Sequence, residues 1–186
     1  TLVLFFSDNG ANRNGSNAGL RGFKGSVWEG GHRVPAVAWW PGKIRPGART
    51  DQTVISLDVM PTLLELGGAR LPRGHHLDGV SLVGLLTGRV EQLAARTLFW
   101  DFRGRAAVRQ GPWKLVVGRK EKGEGKGKGK GKNTSGLFRL DNDRAEKRDL
   151  ANDEPEKTEA LRQALMAWRA NVARGATAQE KPRSQP

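Results

Sequence analysis

The stretch FFSDNGANRNGSNAGLRGFKGSVWEGGHRVP, residues 5–35, decides how this chain is read. It starts in an apolar run, Leu2 to Phe6, and breaks at Asp8 and Asn9. It then crosses a loop dense in glycine and asparagine and presents Arg21, Lys24 and Glu29 among further glycines. A strand apolar at successive positions is one buried on both faces, as in the middle of a parallel sheet covered by helices. In open α/β sheets, ligands bind beyond the carboxyl ends of such strands, which is where Asp8 and Asn9 stand. The expectation is an α/β fold with a site at the end of its first strand.

Working outward, the chain opens on Thr1 and enters that strand with nothing before it, so it reads as the C-terminal part of a larger α/β protein. A leader peptide would precede such a segment, so the segment is silent on export. No run approaches the roughly 18 consecutive apolar residues of a membrane span. With 186 residues, 37% of them hydrophobic, there is enough material for one cored domain and a small appendage. The absence of cysteine excludes disulfides and thiolate metal sites within the chain. A net charge of +13 suggests an anionic partner, but its distribution argues against nucleic acid. RKEKGEGKGKGKGK, residues 119–132, holds seven Lys or Arg and two Glu. Gly-Lys repeats have nothing apolar to bury and repel themselves, so a disordered, solvated insert is expected over 119–135.

VPAVAWW at 34–40 reads as a second strand, and DVMPTLLEL near 58–67 as a helix with Pro61 in its first turn and Gly67 and Gly68 at its end. SLVGLLTG at 81–88 gives further helical turns. Three β-like runs follow, at 97–102, 106–117 and 136–143, with the insert between the second and third. An antiparallel hairpin tolerates such an insertion because closure entropy grows slowly with loop length. The last element is a helix over about 154–173, with Asp153 as N-cap, Glu156 completing a capping box, and Leu161, Leu165, Trp168 and Val172 on its inner stripe. After Gly175 the tail is expected to fray. The domain organisation that follows is an incomplete α/β catalytic domain over 1–95, a small α+β subdomain over 96–175, and a disordered tail over 176–186.

Asp8 and Asn9 supply a carboxylate and an amide oxygen, hard ligands suited to calcium or magnesium rather than zinc. Calcium takes about six to eight oxygens, so two residues do not complete a site. Taken alone, SDNG reads as a turn, and Lys24 as a surface lysine in a glycine loop. The long motifs settle more. FFSDNG and LRGFKGSVWEGGHRVPAVAWWPGKI, followed in order by SLDVMPTLLELGG, LDGVSLVGLLTG, AVRQGPWKLVV and LFRLDNDRAEKRDLAND, resemble the latter part of the type I, formylglycine-dependent sulfatases of the alkaline phosphatase superfamily. The resemblance spans roughly residues 1–173. Phe23, where a second glycine is common, His32, where an apolar residue is common, and the Gly-Lys insert depart from the family pattern.

That resemblance implies an alkaline-phosphatase-like mixed sheet domain followed by a small antiparallel sheet with one long packed helix. It implies Asp8 and Asn9 as ligands of a divalent cation, Ca2+ before Mg2+, and Lys24 as the sulfate contact. Arg21, Asn14, His75 and His76 become candidate substrate contacts, the histidines because PRGHHLDG corresponds to a loop near the substrate entrance. Glu29 reads as scaffold, bonding backbone N–H groups or pairing with Arg21 or Arg33; Trp28 reads as packing. The substrate implied is a sulfate ester, including sulfated carbohydrate, in a periplasmic, extracellular or lysosomal setting. The nucleophile of that family comes from a C/S-x-P-x-R motif, which this chain lacks, so formylglycine is expected upstream and the chain alone is expected to be inactive. Two other readings stay open: phosphate or phosphonate ester hydrolysis on the same fold, and a catalytically silent protein that binds polyanions.

Overall fold

The computed structural model describes residues 1–118 and 135–179. The chain divides into two compact units, Thr1–Asp8 with Val34–Ala94, and Asn9–Arg33 with Ala95–Pro186.

In the first unit, strand β1 (Val3–Phe6) pairs antiparallel with β2 (Ala36–Trp39), in a register running from Val3 opposite Trp39 to Phe6 opposite Ala36. This corrects the expected parallel strand buried on both faces. The run is apolar on successive residues, but its one strand neighbour among the described residues is β2. Phe5, Val37 and Trp39 are 73%, 60% and 58% exposed. The helical part is as expected: a 3-10 turn (Ser56–Asp58) leads into α2 (Val59–Leu66), with α1 (Glu29–His32) lying earlier in the chain, in the other unit. Asp58 is fully buried because its carboxylate accepts the N–H groups of Ile55 and Val80, at 2.9 and 3.0 Å. Thr62 donates to the Asp58 carbonyl and accepts the Leu82 N–H, which pins α2 to the start of α3 (Val83–Leu86). Gly68, at φ 62°, supplies the left-handed residue that ends α2.

The second unit is built on an antiparallel sheet of four strands in sequential order, β3 (Thr97–Phe102), β4 (Arg105–Gln110), β5 (Trp113–Val117) and β6 (Gly136–Arg139). The run 106–117, read as one strand, is therefore two. Gly111 takes a left-handed φ of 57° and Pro112 has no N–H to give a ladder, so the chain turns there. The insert joins β5 to β6; Gly118 donates to the Ser135 hydroxyl where the two strands end, and the expectation for 119–134 lies outside the described residues.

Side chains alternate across this sheet, and both faces are covered. Ala106, Val108, Leu115 and Leu137 face Leu161 and Leu165 of α4 (Pro155–Gln179), with Trp113 and Trp168 packed at the margin. Phe99 stacks on Trp168 at 5.0 Å. Full burial of a leucine contributes about 1.5–3 kcal/mol, so Leu161 and Leu165 hold the helix down, whereas Val172, expected on the same stripe, is 51% exposed. Glu154, not Asp153, caps the helix, since its carbonyl accepts the Thr158 N–H and Pro155 takes the first helical position; the Asp153 carboxylate instead meets Arg148. The helix also runs past Gly175 to Gln179, because one glycine weakens a helix by about 1 kcal/mol without ending it. The tail beyond 179 lies outside the described residues. On the other face Ala107, Val116 and Phe138 pack with Leu140 and with Val27 and Trp28. The second cover of the sheet is thus the glycine-rich segment 9–33 itself.

Candidate functional site

Segment 9–33 has almost no regular structure, so its shape rests on a few contacts. Gly10 donates to the Gly31 carbonyl at 3.0 Å, Gly30 to that of Arg21 at 2.7 Å, and Lys24 to that of Ala11 at 2.9 Å. Asn17 accepts the Ala11 N–H and donates to the Gly22 carbonyl, both at 2.8 Å, closing the loop from within. A Cβ on Gly30 would meet the backbone carbonyls of Arg21 and Gly22, so the strands of the loop approach as closely as glycine permits. Gly22 and Gly25, both at φ 83°, turn the chain on either side of Lys24. The lysine side chain is left exposed at the tip of that double turn, with its backbone tied two residues beyond Asn9.

The remaining predicted residues divide between the units. Asn14, Arg21 and Lys24 share a unit with Asn9, while Asp8, His75 and His76 belong to the other. Asp8 is exposed and Asn9 half-buried. Asn14 is exposed, its N–H held by the Asn12 side chain. Arg21 lies with its guanidinium 3.6 Å from the centre of the Trp28 ring and donates to the Glu146 carbonyl. His75 and His76 are exposed, with His76 3.5 Å from Asp78. Among the described residues, no group of three or more His, Cys, Asp or Glu is placed to hold a metal ion. The Asp-Asn pair fits a hard cation in kind but is a partial donor set, given the six to eight oxygens that calcium takes.

Beneath the loop lies a feature that sequence reasoning missed. Lys114 on β5 is fully buried, with its ammonium 2.8 Å from Glu29 and 2.9 Å from Glu146, themselves 1% and 0% exposed. Strand alternation explains the placement: Trp113, Leu115 and Val117 face α4, so Lys114 faces segment 9–33. Glu29 also meets Arg33 at 3.1 Å, His32 at 3.4 Å and Arg109 at 3.9 Å. Its predicted partner Arg33 is present, and Arg21 donates to the Glu146 carbonyl. Burial alone would raise the Glu29 carboxyl, but the hydrogen bond from His32 and the charge and hydrogen bond of Lys114 hold it well below the usual carboxylate range. Glu146 has fewer cations around it, so burial prevails there and raises its carboxyl despite Lys114 and the Glu29 N–H. Burial also lowers His32, which stacks on Trp100 at 4.5 Å. A neutral His32 protonated at Nε2 donates to Glu29, which accords with a buried Nδ1 that has no partner. The signal in sequence was slight: a lysine inside an otherwise apolar strand, WKLVV.

Comparison with known proteins gives a consistent result. The Sulfatase family model matches residues 1–69. Arylsulfatase A of Bos taurus is 44% identical over 125 residues, covering 61% of this chain and 24% of that protein. A sulfatase of Formosa agariphila is 33% identical over 162 residues, covering 83% of this chain and 29% of its own length. Among solved structures, Ps i-CgsB superposes with a TM-score of 0.73 at 27% identity, over 90% of this chain and 36% of that one, and has also been solved in complex with k-i-k-neocarrahexaose. The fold is that of the end of an alkaline-phosphatase-like domain with its small C-terminal sheet and helix, and the chain is sulfatase-like over the part these comparisons match. It spans about a quarter of the length of the curated relatives.

Proposed function

We propose that this chain is the C-terminal portion of a sulfuric ester hydrolase, in which Lys24 contacts the sulfate group and Asp8 and Asn9 hold a divalent cation, calcium before magnesium. The observation that carries the proposal is the presentation of Lys24. It is exposed between two left-handed glycines, on a loop where its own N–H bonds to the Ala11 carbonyl, two residues beyond Asn9. Sulfate ester hydrolysis requires charge to be neutralised on the nonbridging oxygens and the leaving oxygen. An ammonium supplies part of this, and a bound cation would add Lewis acidity. Gly22 and Gly25 keep side chains away from the approach to Lys24. Arg21, Asn14, His75 and His76 remain candidates for substrate contacts.

A sulfated carbohydrate is the substrate class this reading favours, supported by the oligosaccharide complex of Ps i-CgsB. Export to a periplasmic, extracellular or lysosomal compartment accords with it, and no helix among the described residues is long and apolar enough to cross a membrane. The nucleophile, a formylglycine, would be supplied by sequence outside this chain, so the chain alone is expected to turn over no aryl sulfate. The test is an NMR titration of the chain with inorganic sulfate and, separately, with calcium. Sulfate should shift the amides of 22–26, and Lys24→Ala should abolish the response; calcium should shift Asp8 and Asn9. A sulfate response that survives Lys24→Ala would refute the assignment.

A further inference from the structure

The loop that carries Lys24 is held in place from outside itself. Residues 9–33 contain one four-residue helix, and an irregular segment keeps a single shape only when its surroundings over-determine it. Val27 and Trp28 anchor it to the sheet by apolar contact, without direction. Direction comes from the buried charges. Lys114 sits on β5, which is paired along both edges, to β4 and β6, and inner strands are the last to open. The Lys114 ammonium lies between carboxylates from different parts of the chain, donating to Glu29 Oε1 at 2.8 Å and standing 2.9 Å from Glu146 Oε1 as an ion pair.

Glu146 carries the constraint to the other end of the loop segment. It takes a left-handed φ of 53°, accepts the Glu29 N–H at 2.7 Å through its carboxylate, and accepts Arg21 Nη1 at 2.9 Å through its carbonyl. The Arg21 carbonyl in turn accepts the Gly30 N–H. The segment Arg21–Glu29 thus has both ends referred to one ammonium, and Lys24 lies between them.

We propose that Lys114 is a positioning residue for Lys24: the Glu29–Lys114–Glu146 bridge fixes both ends of segment 21–29 and so sets where the Lys24 ammonium stands. This rests on the reading of Lys24 as the sulfate contact. A lysine that merely stabilises the sheet would keep its bridge when the loop opens and so would not protect the loop amides, and that difference supplies the test.

Amide hydrogen exchange is measured on the 186-residue chain and on Lys114→Met. A second variant, Lys114→Met with Glu146→Gln, leaves no bare carboxylate at 146 and serves if the first does not fold. The amides of Gly10, Lys24 and Gly30 are expected to exchange at least about tenfold faster, in addition to the acceleration that lower global stability gives Leu115 and Val116. Inorganic sulfate, followed at the amides of 22–26, is expected to bind about tenfold more weakly to the variant. Unchanged loop exchange in a folded variant overturns the proposal, whether or not Leu115 and Val116 are accelerated. Lys24→Ala separates the two claims: it should abolish the sulfate response with loop exchange unaltered. If the wild-type response is indifferent to Lys24→Ala, the sulfate reading falls, and the exchange comparison still decides whether Lys114 places the loop.

Discussion

Replacing Lys114 by methionine keeps most of the length of the side chain and removes its charge, so the cost is electrostatic rather than a cavity. Two carboxylates, each at most 1% exposed, lose the ammonium that they share. Glu29 keeps Arg33 at 3.1 Å and Arg109 at 3.9 Å, so it is still compensated. Glu146 keeps the Glu29 N–H, which cannot offset a buried charge. The penalty therefore concentrates on Glu146. Removing one partner of a buried ion pair costs about 3–5 kcal/mol. With a urea slope of roughly 2 kcal/mol per molar, the unfolding midpoint of the second unit should fall by about 2 M. Four of the six tryptophans, Trp28, Trp100, Trp113 and Trp168, belong to this unit, so tryptophan fluorescence reports mainly on it. Adding Glu146→Gln should restore more than half of the loss, because the bare carboxylate is then gone. A loss below about 1 kcal/mol, the scale of an exposed pair, would refute the claim that these charges are a buried, mutually dependent set.

Three further outcomes are expected. Leu165→Ala should cost about 2–5 kcal/mol and loosen α4 from the sheet, seen as a lower thermal midpoint. Thr62→Val should cost about 1–3 kcal/mol, because it leaves the buried Leu82 N–H without an acceptor; faster exchange at that amide would show it. For His32, burial lowers the folded pKa below the ordinary 6.5, so the unfolded chain binds more protons as pH falls through that value. The stability tied to a neutral His32 is therefore lost progressively as pH falls from 6.5 to its folded pKa, and stays lost below it. His32→Phe, which retains the stack on Trp100, should flatten the decline in urea midpoint between about pH 7.5 and about pH 5.5. An unchanged slope would count against a buried neutral His32.

Element types were legible wherever local chemistry decides them. Pro61 and the Gly67-Gly68 pair bracket α2 as expected, and the short apolar runs AAV at 106–108 and LVV at 115–117 mark strands. The turn at Gly111 and Pro112 was written in the sequence too, but it lies between two apolar runs short enough to read as one. β1 misled because apolarity on both faces says that a strand wants cover, not which neighbour it pairs with or what covers it. Lys114 was hidden for a related reason. A lysine at an alternate strand position reads as solvent-facing unless a second layer covers that face, and the layer here is an irregular loop 85 residues away in sequence. Its partner Glu146 sits in a run of charges, DRAEKRD, where nothing distinguishes it from its exposed neighbours. The glycines around Lys24 were visible, whereas the role of Asn17 as the clasp of the loop depends on two backbone groups that only the folded chain brings to it.

The route of the chain has a consequence for how the protein can be taken apart. The backbone passes between the two units three times, at residues 8–9, 33–34 and 94–95. Residues 9–33 leave from β1 and return to β2, and in between they lend Val27, Trp28 and Glu29 to the core of the other unit. A cut between Ala94 and Ala95 would therefore not yield two independent pieces. The upstream piece would carry a tongue whose buried residues belong to the sheet of the downstream piece, and the downstream piece would hold the socket, Lys114 at its floor. Such halves are the starting material of a complementation assay, in which the two polypeptides, each incomplete alone, report on their reunion.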